Sequence, residues 1–267
     1  MSFGRTLSLS VALSAIVATS VPAQAIAAYS PGARRYHLIA VNTRSADQDG
    51  QHSEFKITNE QLLTVKIVAR TKDTLDFSYT MDSSSIVMDP PQDLPDISGM
   101  KGTEVHGAMS PFGKVYSFAS AVDTNDVDRQ QLVAGMSKFL VALPPDAHVG
   151  STWVDTTNKN TDNNGDRLDQ RTITTSTILA DTTYDGERAW RVRRRDDLSI
   201  AGTQSSLGSH HTLEGHGAGE AVYYISRAGV FLGSVGKQTT QAKITEKETG
   251  KTASETIAGT SKIELVH

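Results

Sequence analysis

Histidine and acidic side chains come closest together between His210 and His216, where the sequence reads HHTLEGH. Such side chains can hold a metal ion when several of them converge on one point. If the segment is a β-strand, His210, Glu214 and His216 share one face. The two histidines then lie about 20 Å apart, because a strand rises about 3.3 Å per residue. One ion cannot bridge them, and Glu214 with His216 would need a third ligand from elsewhere, so we expect a polar strand face and no metal site.

The segment Asn160–Asp166 begins like the calcium-binding loop of an EF-hand. However, Asn160 stands where the first ligand should be Asp, and Arg171 stands at the twelfth position, where a bidentate Glu is required. A hairpin turn accounts for this segment better. We therefore predict no bound calcium, and no cofactor of any other kind.

The sequence motifs of common enzymes are missing from the chain. It contains no Gly-x-Ser-x-Gly elbow, no His-Glu-x-x-His helix, no phosphate loop and no Rossmann glycine pattern. It also has no cysteine, which removes thiol nucleophiles, thiolate zinc sites and disulfides. We therefore expect a protein that is not an enzyme, although a catalytic site assembled from distant residues would leave no local motif.

The basic segment Trp190–Arg195 is the feature that points most directly to a ligand. Alternation along a strand puts Trp190 and Arg194 on one face and the other three arginines on the opposite face. A guanidinium in an apolar interior is costly. Three arrangements are therefore open for Arg194: a bulge turns it outward, an acidic residue pairs with it, or it lies at a wet opening and meets an anion. In an ordinary exposed strand, Asp196 and Asp197 would neutralise the end of the basic run. We predict that Arg194 and Trp190 contact a ligand at the mouth of a cavity.

Most of the chain alternates between apolar and polar residues with the period of a β-strand. The clearest segment is Leu75–Met81, and Leu63–Arg70 is similar except that Val68 falls on the polar face. Threonine-rich segments over 172–179 and 237–247 fit half-exposed strands. Turn residues separate these segments at 110–113, 162–166, 185–186 and 226–229, and the prolines between 88 and 99 predict a long loop. The pattern favours an antiparallel sheet with one solvated face.

One amphipathic helix is predicted between Asn125 and Leu143. Its apolar stripe consists of Leu132, Met136, Phe139, Leu140 and Leu143. The Pro144-Pro145 pair ends it. The predicted fold class is mainly β: a curved antiparallel sheet or half-barrel with this helix packed on it.

The first residues have the layout of a secretory signal peptide. Arg5 precedes an apolar, serine-diluted segment, Leu7–Val21, which is shorter than the ~20 residues that span a membrane. Pro22 follows, and Ala23–Ala25 fits a signal-peptidase site, with a second candidate at Ala25–Ala27. Because no cysteine follows, the chain is not a lipoprotein. We predict a periplasmic or secreted protein without a transmembrane segment after cleavage, divided into a signal peptide at 1–25, a tether or a loose first strand at 26–35 and a single β-rich domain at 36–267.

Three segments in order resemble a group of uncharacterised bacterial envelope proteins: Glu104–Tyr116, Leu143–Trp153 and Gly215–Phe231. The predicted fold of that group is similar to the periplasmic lipoprotein-carrier half-barrel, the LolA/LolB-like fold. The resemblance covers the layout of residues 36–267. It implies a curved antiparallel sheet that cups an apolar cavity closed by helices. It implies no activity, because a fold does not fix a function.

Two functions are compatible with these features. The first is a non-catalytic exported protein that binds or carries an apolar or amphiphilic ligand, such as a lipid, in a half-barrel cavity. The alternative is an accessory or structural subunit of an envelope protein complex without a small-molecule ligand, because exposed strand edges can pair with a partner chain. Nucleic acid is not an expected partner, since the net charge of −4 is opposite to the basic surface that binding to nucleic acid requires.

Overall fold

The computed structural model describes residues 28–91, 101–120, 139–163, 166–206 and 209–267. The predicted signal peptide lies outside the described residues. The described chain forms eleven β-strands: β1 (Gly32–Gln48), β2 (Gln51–Thr71), β3 (Thr74–Asp89), β4 (Glu104–Met109), β5 (Val115–Ser120), β6 (Thr152–Asn163), β7 (Asp166–Tyr184), β8 (Glu187–Ser206), β9 (Ser209–Ser226), β10 (Phe231–Glu246) and β11 (Thr252–Val266).

All eleven strands belong to one curved, open antiparallel sheet. Their spatial order is β5-β4-β3-β2-β1-β11-β10-β9-β8-β7-β6. The first and last strands therefore pair at the centre, with Tyr36 opposite Leu265 and Asn42 opposite Gly259. The two edges are β5 and β6, which are consecutive in the sequence, so the chain between them must pass from one edge of the sheet to the other. The prediction of a mainly β, curved antiparallel fold is confirmed.

Period-2 alternation gives the sheet one apolar and one polar face. Along β3, Leu75, Phe77, Tyr79 and Met81 are buried, and the residues between them are partly exposed. In β2, Val68 is exposed, as its place on the polar face predicts. We call the face that carries the buried side chains the inner face. Side chains on it pack together, while those on the outer face contact solvent.

Tight hairpins join the long strands. At Asp185-Gly186, between β7 and β8, both residues have positive φ, 50° and 77°. Asp49-Gly50 joins β1 to β2 in the same way, with φ of 50° and 78°. Positive φ at both central residues is typical of the type I′ turn. The twist of this turn matches that of paired strands, and Asp-Gly is among its preferred sequences.

The buried core occupies only one end of the long strands. On β8 the buried residues are Ala189, Trp190 and Val192, and none of the residues from Arg193 to Thr203 is buried. On β9 burial is confined to Tyr223 and the residues that follow it. The opposite half of the inner face is thus only partly covered by the described residues.

The segment after β5 corrects the helix prediction. Residues 125–138 of that prediction lie outside the described residues, but Phe139–Leu143 is described and is not helical. Three consecutive residues, Phe139, Leu140 and Val141, are buried there, which an amphipathic helix does not allow. The Tyr29 hydroxyl donates to the carbonyl of Val141 at 3.2 Å and accepts from its N–H at 3.1 Å. These bonds satisfy the backbone without a helix while the apolar side chains join the core.

One predicted boundary also differs from the structure. Met88 and Asp89 belong to β3 and pair with Ile57 and Lys56, so the loop predicted from residue 88 begins after them. β1 begins at Gly32, inside the segment interpreted as a tether or a loose first strand. In the part of the chain that the structure describes, there is no helix with the length and apolar character needed to cross a membrane.

Candidate ligand-binding cavity

An open cavity of about 370 Å³ lies on the inner face, next to the end of the core. Small residues form part of its floor, and between them lie the polar side chains of Asn42, Gln238, Thr240 and Ser261. Gly217, Gly219 and Ala221 alternate along β9 on the face of Tyr223, and Gly236 of β10 and Gly259 of β11 continue the floor on the neighbouring strands. Because these residues are so small, the strands expose backbone where a packed sheet would carry side chains.

The glycines of the floor differ in the space around them. A Cβ atom at Gly259 would lie 2.2 Å from Oδ1 of Asn42, and one at Gly217 would lie 2.8 Å from Oγ1 of Thr240. At Gly219 the nearest atom would be 3.6 Å away, an ordinary van der Waals distance. A larger side chain at Gly219 is therefore compatible with the strand and would project into the cavity.

A charged pair forms one wall of the cavity. Arg194 and Asp196, two residues apart on β8, both point to the inner face. Nε of Arg194 donates to Oδ1 of Asp196 at 2.9 Å and to Oδ2 at 3.0 Å. Thr174 of β7 donates to Oδ1 of the same carboxylate at 2.6 Å. The side chains of Arg194 and Asp196 are 22% and 30% exposed, so the pair is sheltered but in contact with the cavity.

Tyr223 connects this pair to the core. Its ring is buried, and Arg194 lies close enough to shift its electrostatics. Burial of the guanidinium acts to lower the pKa of Arg194, but Tyr223 and Asp196 outweigh it and raise the pKa. Burial raises the pKa of Tyr223. Arg194 is thus a cation and Tyr223 a neutral hydroxyl at neutral pH.

Apolar side chains continue the inner face from the cavity toward the open ends of the strands. Leu198 lines the cavity, and Ile200 follows two residues later on the same face of β8. Leu213 of β9, Ile244 of β10 and Ile257 of β11 lie on this face too, by register. All five side chains are partly exposed. From Arg194 to Ile200 this surface extends about 20 Å at the usual rise of a strand.

The structure separates the two residues predicted to contact a ligand. Arg194 lines the cavity and has an acidic partner, so the second of its three open arrangements occurs, and the bulge in the β7–β8 pairing lies elsewhere, between Ile178 and Ala180. Trp190 is buried and does not line the cavity; Arg227 lies over its ring, 3.6 Å from the centroid. Ligand contact by either residue stays a prediction.

The other polar segments form outer faces and turns. His210, Glu214 and His216 are exposed on β9, as the alternation predicts. Asn160 and Asp162 lie on β6, paired with β7 across the hairpin that was predicted in place of a calcium loop. No group of three or more His, Asp and Glu side chains that could hold a metal ion occurs among the described residues.

Sequence reasoning did not assign the floor or Asp196 to the cavity. The signal for the floor is the alternation Gly215-x-Gly217-x-Gly219-x-Ala221, in which small residues recur with the period of one strand face. The signal for Asp196 is its position two residues after Arg194, which places both side chains on one face. From the sequence alone, Asp196 is predicted only to neutralise the end of the basic run.

Comparisons with known proteins show no family for this chain. No protein-family model matches it, and no curated protein matches it. Among solved structures, it is similar to a candidate exported protein with a YmcC-like fold from Bacteroides fragilis, at 9% identity and a TM-score of 0.25, over 86% of this chain and 96% of that one. A DUF1329 family protein from Desulfovibrio piger is similar at 8% identity and a TM-score of 0.16, over 88% and 85%. These scores are too low to support an argument about function. Neither description names the lipoprotein carriers, so that resemblance and export both stay predictions.

Proposed function

We propose that this chain is a non-catalytic, exported binding protein that holds an amphiphilic ligand on the inner face of its sheet. One observation carries the proposal: glycine and alanine leave an open space on the inner face, and a strip of partly exposed apolar side chains leads away from it. Partly exposed apolar side chains beside an open space gain stability when a ligand covers them. The volume of about 370 Å³ is within the range of small-molecule sites.

The polar and apolar parts of the surface are arranged as an amphiphile requires. Arg194 and Asp196 lie at the end next to the core, and Leu198 and Ile200 follow on the same strand face. The head group of the ligand would lie beside the charged pair. Its chain would extend over Leu198 toward Ile200 and Leu213.

A saturation experiment tests this proposal. The protein is purified without detergent and titrated with N-phenyl-1-naphthylamine, an uncharged fluorophore that brightens in apolar surroundings, and an organic extract of the same preparation is analysed for lipid by mass spectrometry. We expect saturable binding with one site per chain, and competition by a single-chain amphiphile. Absence of saturable fluorescence together with absence of lipid in the extract would contradict the proposal.

The position of β6 at an edge of the sheet supports a second candidate function, that of an accessory subunit of an envelope protein complex. β6 runs over twelve residues at one edge of the sheet, and Val154 on it is 63% exposed. Edge strands of this kind can accept a strand from another chain. A photo-crosslinking residue at Val154 should then capture one defined partner in envelope extract, whereas the same residue at Val235, 43% exposed on strand β10 and paired on both sides, should not. Equal labelling from both positions would count against an edge-bound partner.

A further inference from the structure

The cavity contains one positive and one negative side chain on its inner wall, and this composition bears on the head group that it can accept. We propose that the head group bound beside Arg194 and Asp196 is zwitterionic, with an anionic and a cationic group on one molecule, as in phosphocholine or phosphoethanolamine. This inference rests on the proposed function and specifies its ligand class.

Arg194 and Asp196 are the two charged residues of the inner wall. The other charged residues that border the cavity do not change the net charge of that wall. Glu220 and Lys237 also border the cavity, but they alternate with inner-face residues and face each other across β9 and β10. Glu220 accepts a hydrogen bond from Nε of Arg195 on the outer face at 2.8 Å. The inner wall among the described residues is therefore neutral as a whole and strongly dipolar.

A purely anionic head group would be poorly matched to this wall. It would approach Arg194 while the carboxylate of Asp196 already lies 2.9 Å from Nε of that guanidinium. Two anions would then share one cation in a sheltered site, where like charges repel more strongly than in water. A purely cationic head group would meet the reverse arrangement, because it could reach Asp196 only beside Arg194.

A zwitterionic head group avoids both conflicts without breaking the pair. Nε–H of Arg194 is directed at Asp196, but a guanidinium has four further N–H donors on its terminal nitrogens. These can bind an anionic group, such as a phosphate, in the planar fashion typical of arginine. The cationic group of the same molecule then lies near Asp196, whose carboxylate has acceptor capacity beyond its bonds to Arg194 and Thr174.

The experiment compares ligands that share a decyl chain and differ in head group. Decylphosphocholine, decyl sulfate, decyltrimethylammonium and decyl maltoside, each below its micelle concentration, compete with N-phenyl-1-naphthylamine for the full chain, and glycerophosphocholine provides the head group without the chain. We expect decylphosphocholine to bind about tenfold more tightly than the three other amphiphiles, since a charge-assisted hydrogen bond contributes about this factor. Glycerophosphocholine should compete weakly.

Substitutions in the pair should change the preference in opposite directions. Asp196→Asn should favour decyl sulfate, and Arg194→Gln should favour decyltrimethylammonium. The double variant Arg194→Gln/Asp196→Asn leaves no unpaired charge and should fold even if a single variant does not. It should retain binding of the fluorophore and lose the preference for phosphocholine.

The failures of the two proposals are distinguishable. Fluorophore binding with equal affinity for all four decyl amphiphiles would overturn the zwitterionic head group and leave the proposed function standing. No binding of the fluorophore or of any decyl amphiphile would overturn the proposed function itself. Glycerophosphocholine competing as well as decylphosphocholine would support the head-group class and contradict a contribution from the chain.

Discussion

Arg194 donates from Nε to both carboxylate oxygens of Asp196, its neighbour two residues along β8, at 2.9 and 3.0 Å. Residues two apart on one strand face are separated by about 6.6 Å along the strand, so this bifurcated contact requires the arginine to fold along the sheet. The guanidinium is held over the inner face instead of reaching into solvent. Both charged residues of the cavity wall therefore come from one strand, β8.

The first prediction concerns the stability of this pair. Asp196→Ala should destabilise the protein by about 1–3 kcal/mol, because it leaves a sheltered guanidinium without its carboxylate. The double variant Arg194→Leu/Asp196→Leu should be less destabilised than Asp196→Ala, since replacing both partners of a sheltered pair by apolar residues removes the unpaired charge. Urea unfolding of the three proteins measures the difference. A double variant less stable than the single one would contradict this view of the pair.

The second prediction concerns acid unfolding. Hydrogen bonds from Arg188 and Arg227 lower the pKa of Asp181 from its ordinary value of 3.8 to about 2. A carboxylate whose pKa is lower in the folded state stabilises that state above its unfolded pKa, and the contribution is lost as the pH falls from 3.8 through about 2. The melting temperature of the wild type should therefore exceed that of Asp181→Asn at pH 6, and the gap should close as the pH approaches 2.

A surface substitution provides the control for this pH effect. Asp162 is exposed on β6, so Asp162→Asn should leave the melting temperature close to that of the wild type over the same pH range. A gap between the wild type and Asp181→Asn that is constant from pH 6 to pH 2 would show that the stabilisation by Asp181 does not depend on its ionisation.

The third prediction concerns the contact that fixes the non-helical segment after β5. The hydroxyl of Tyr29 makes hydrogen bonds to both the N–H and the carbonyl of Val141. Tyr29→Phe leaves these buried backbone groups without that partner and should cost about 1–3 kcal/mol of unfolding free energy. Tyr116→Phe, at a side chain that is 57% exposed on β5, should cost far less. Equal losses in the two variants would mean that the Tyr29 hydroxyl does not anchor this segment.

The strands were predictable because their signal is local. In Leu75–Met81 each residue reveals its own face through alternation, and Asp185-Gly186 reveals its hairpin through the need for positive φ. The strand order was not predictable, since the pairing of β1 with β11 joins residues at opposite ends of the chain and leaves no local pattern. The helix prediction was wrong over Phe139–Leu143. The apolar residues there match a helical period by chance, and the contact that replaces the helix comes from Tyr29, which is far away in sequence.

The site was only partly predictable for the same reason. Alternation placed Arg194 on the inner face, and the structure agrees. The open space beside it depends on Gly219, Gly236 and Gly259, which come from three strands that are neighbours only after folding. A glycine in a single strand shows no cavity by itself, because the same residue is also found at bulges and at close contacts between strands.

The central claim, that the inner face binds an amphiphile above its glycine floor, is tested most directly by filling the space at Gly219. Gly219→Leu places a side chain where a Cβ atom has no contact closer than 3.6 Å, while Thr239→Leu adds the same residue at an exposed outer-face position of the adjacent strand. Both variants are titrated with N-phenyl-1-naphthylamine after their melting temperatures are measured. We predict that Gly219→Leu folds and binds the fluorophore at least about tenfold more weakly than the wild type, a loss on the order of 1.4 kcal/mol, while Thr239→Leu binds it normally. Unchanged binding by a folded Gly219→Leu protein would contradict the claim.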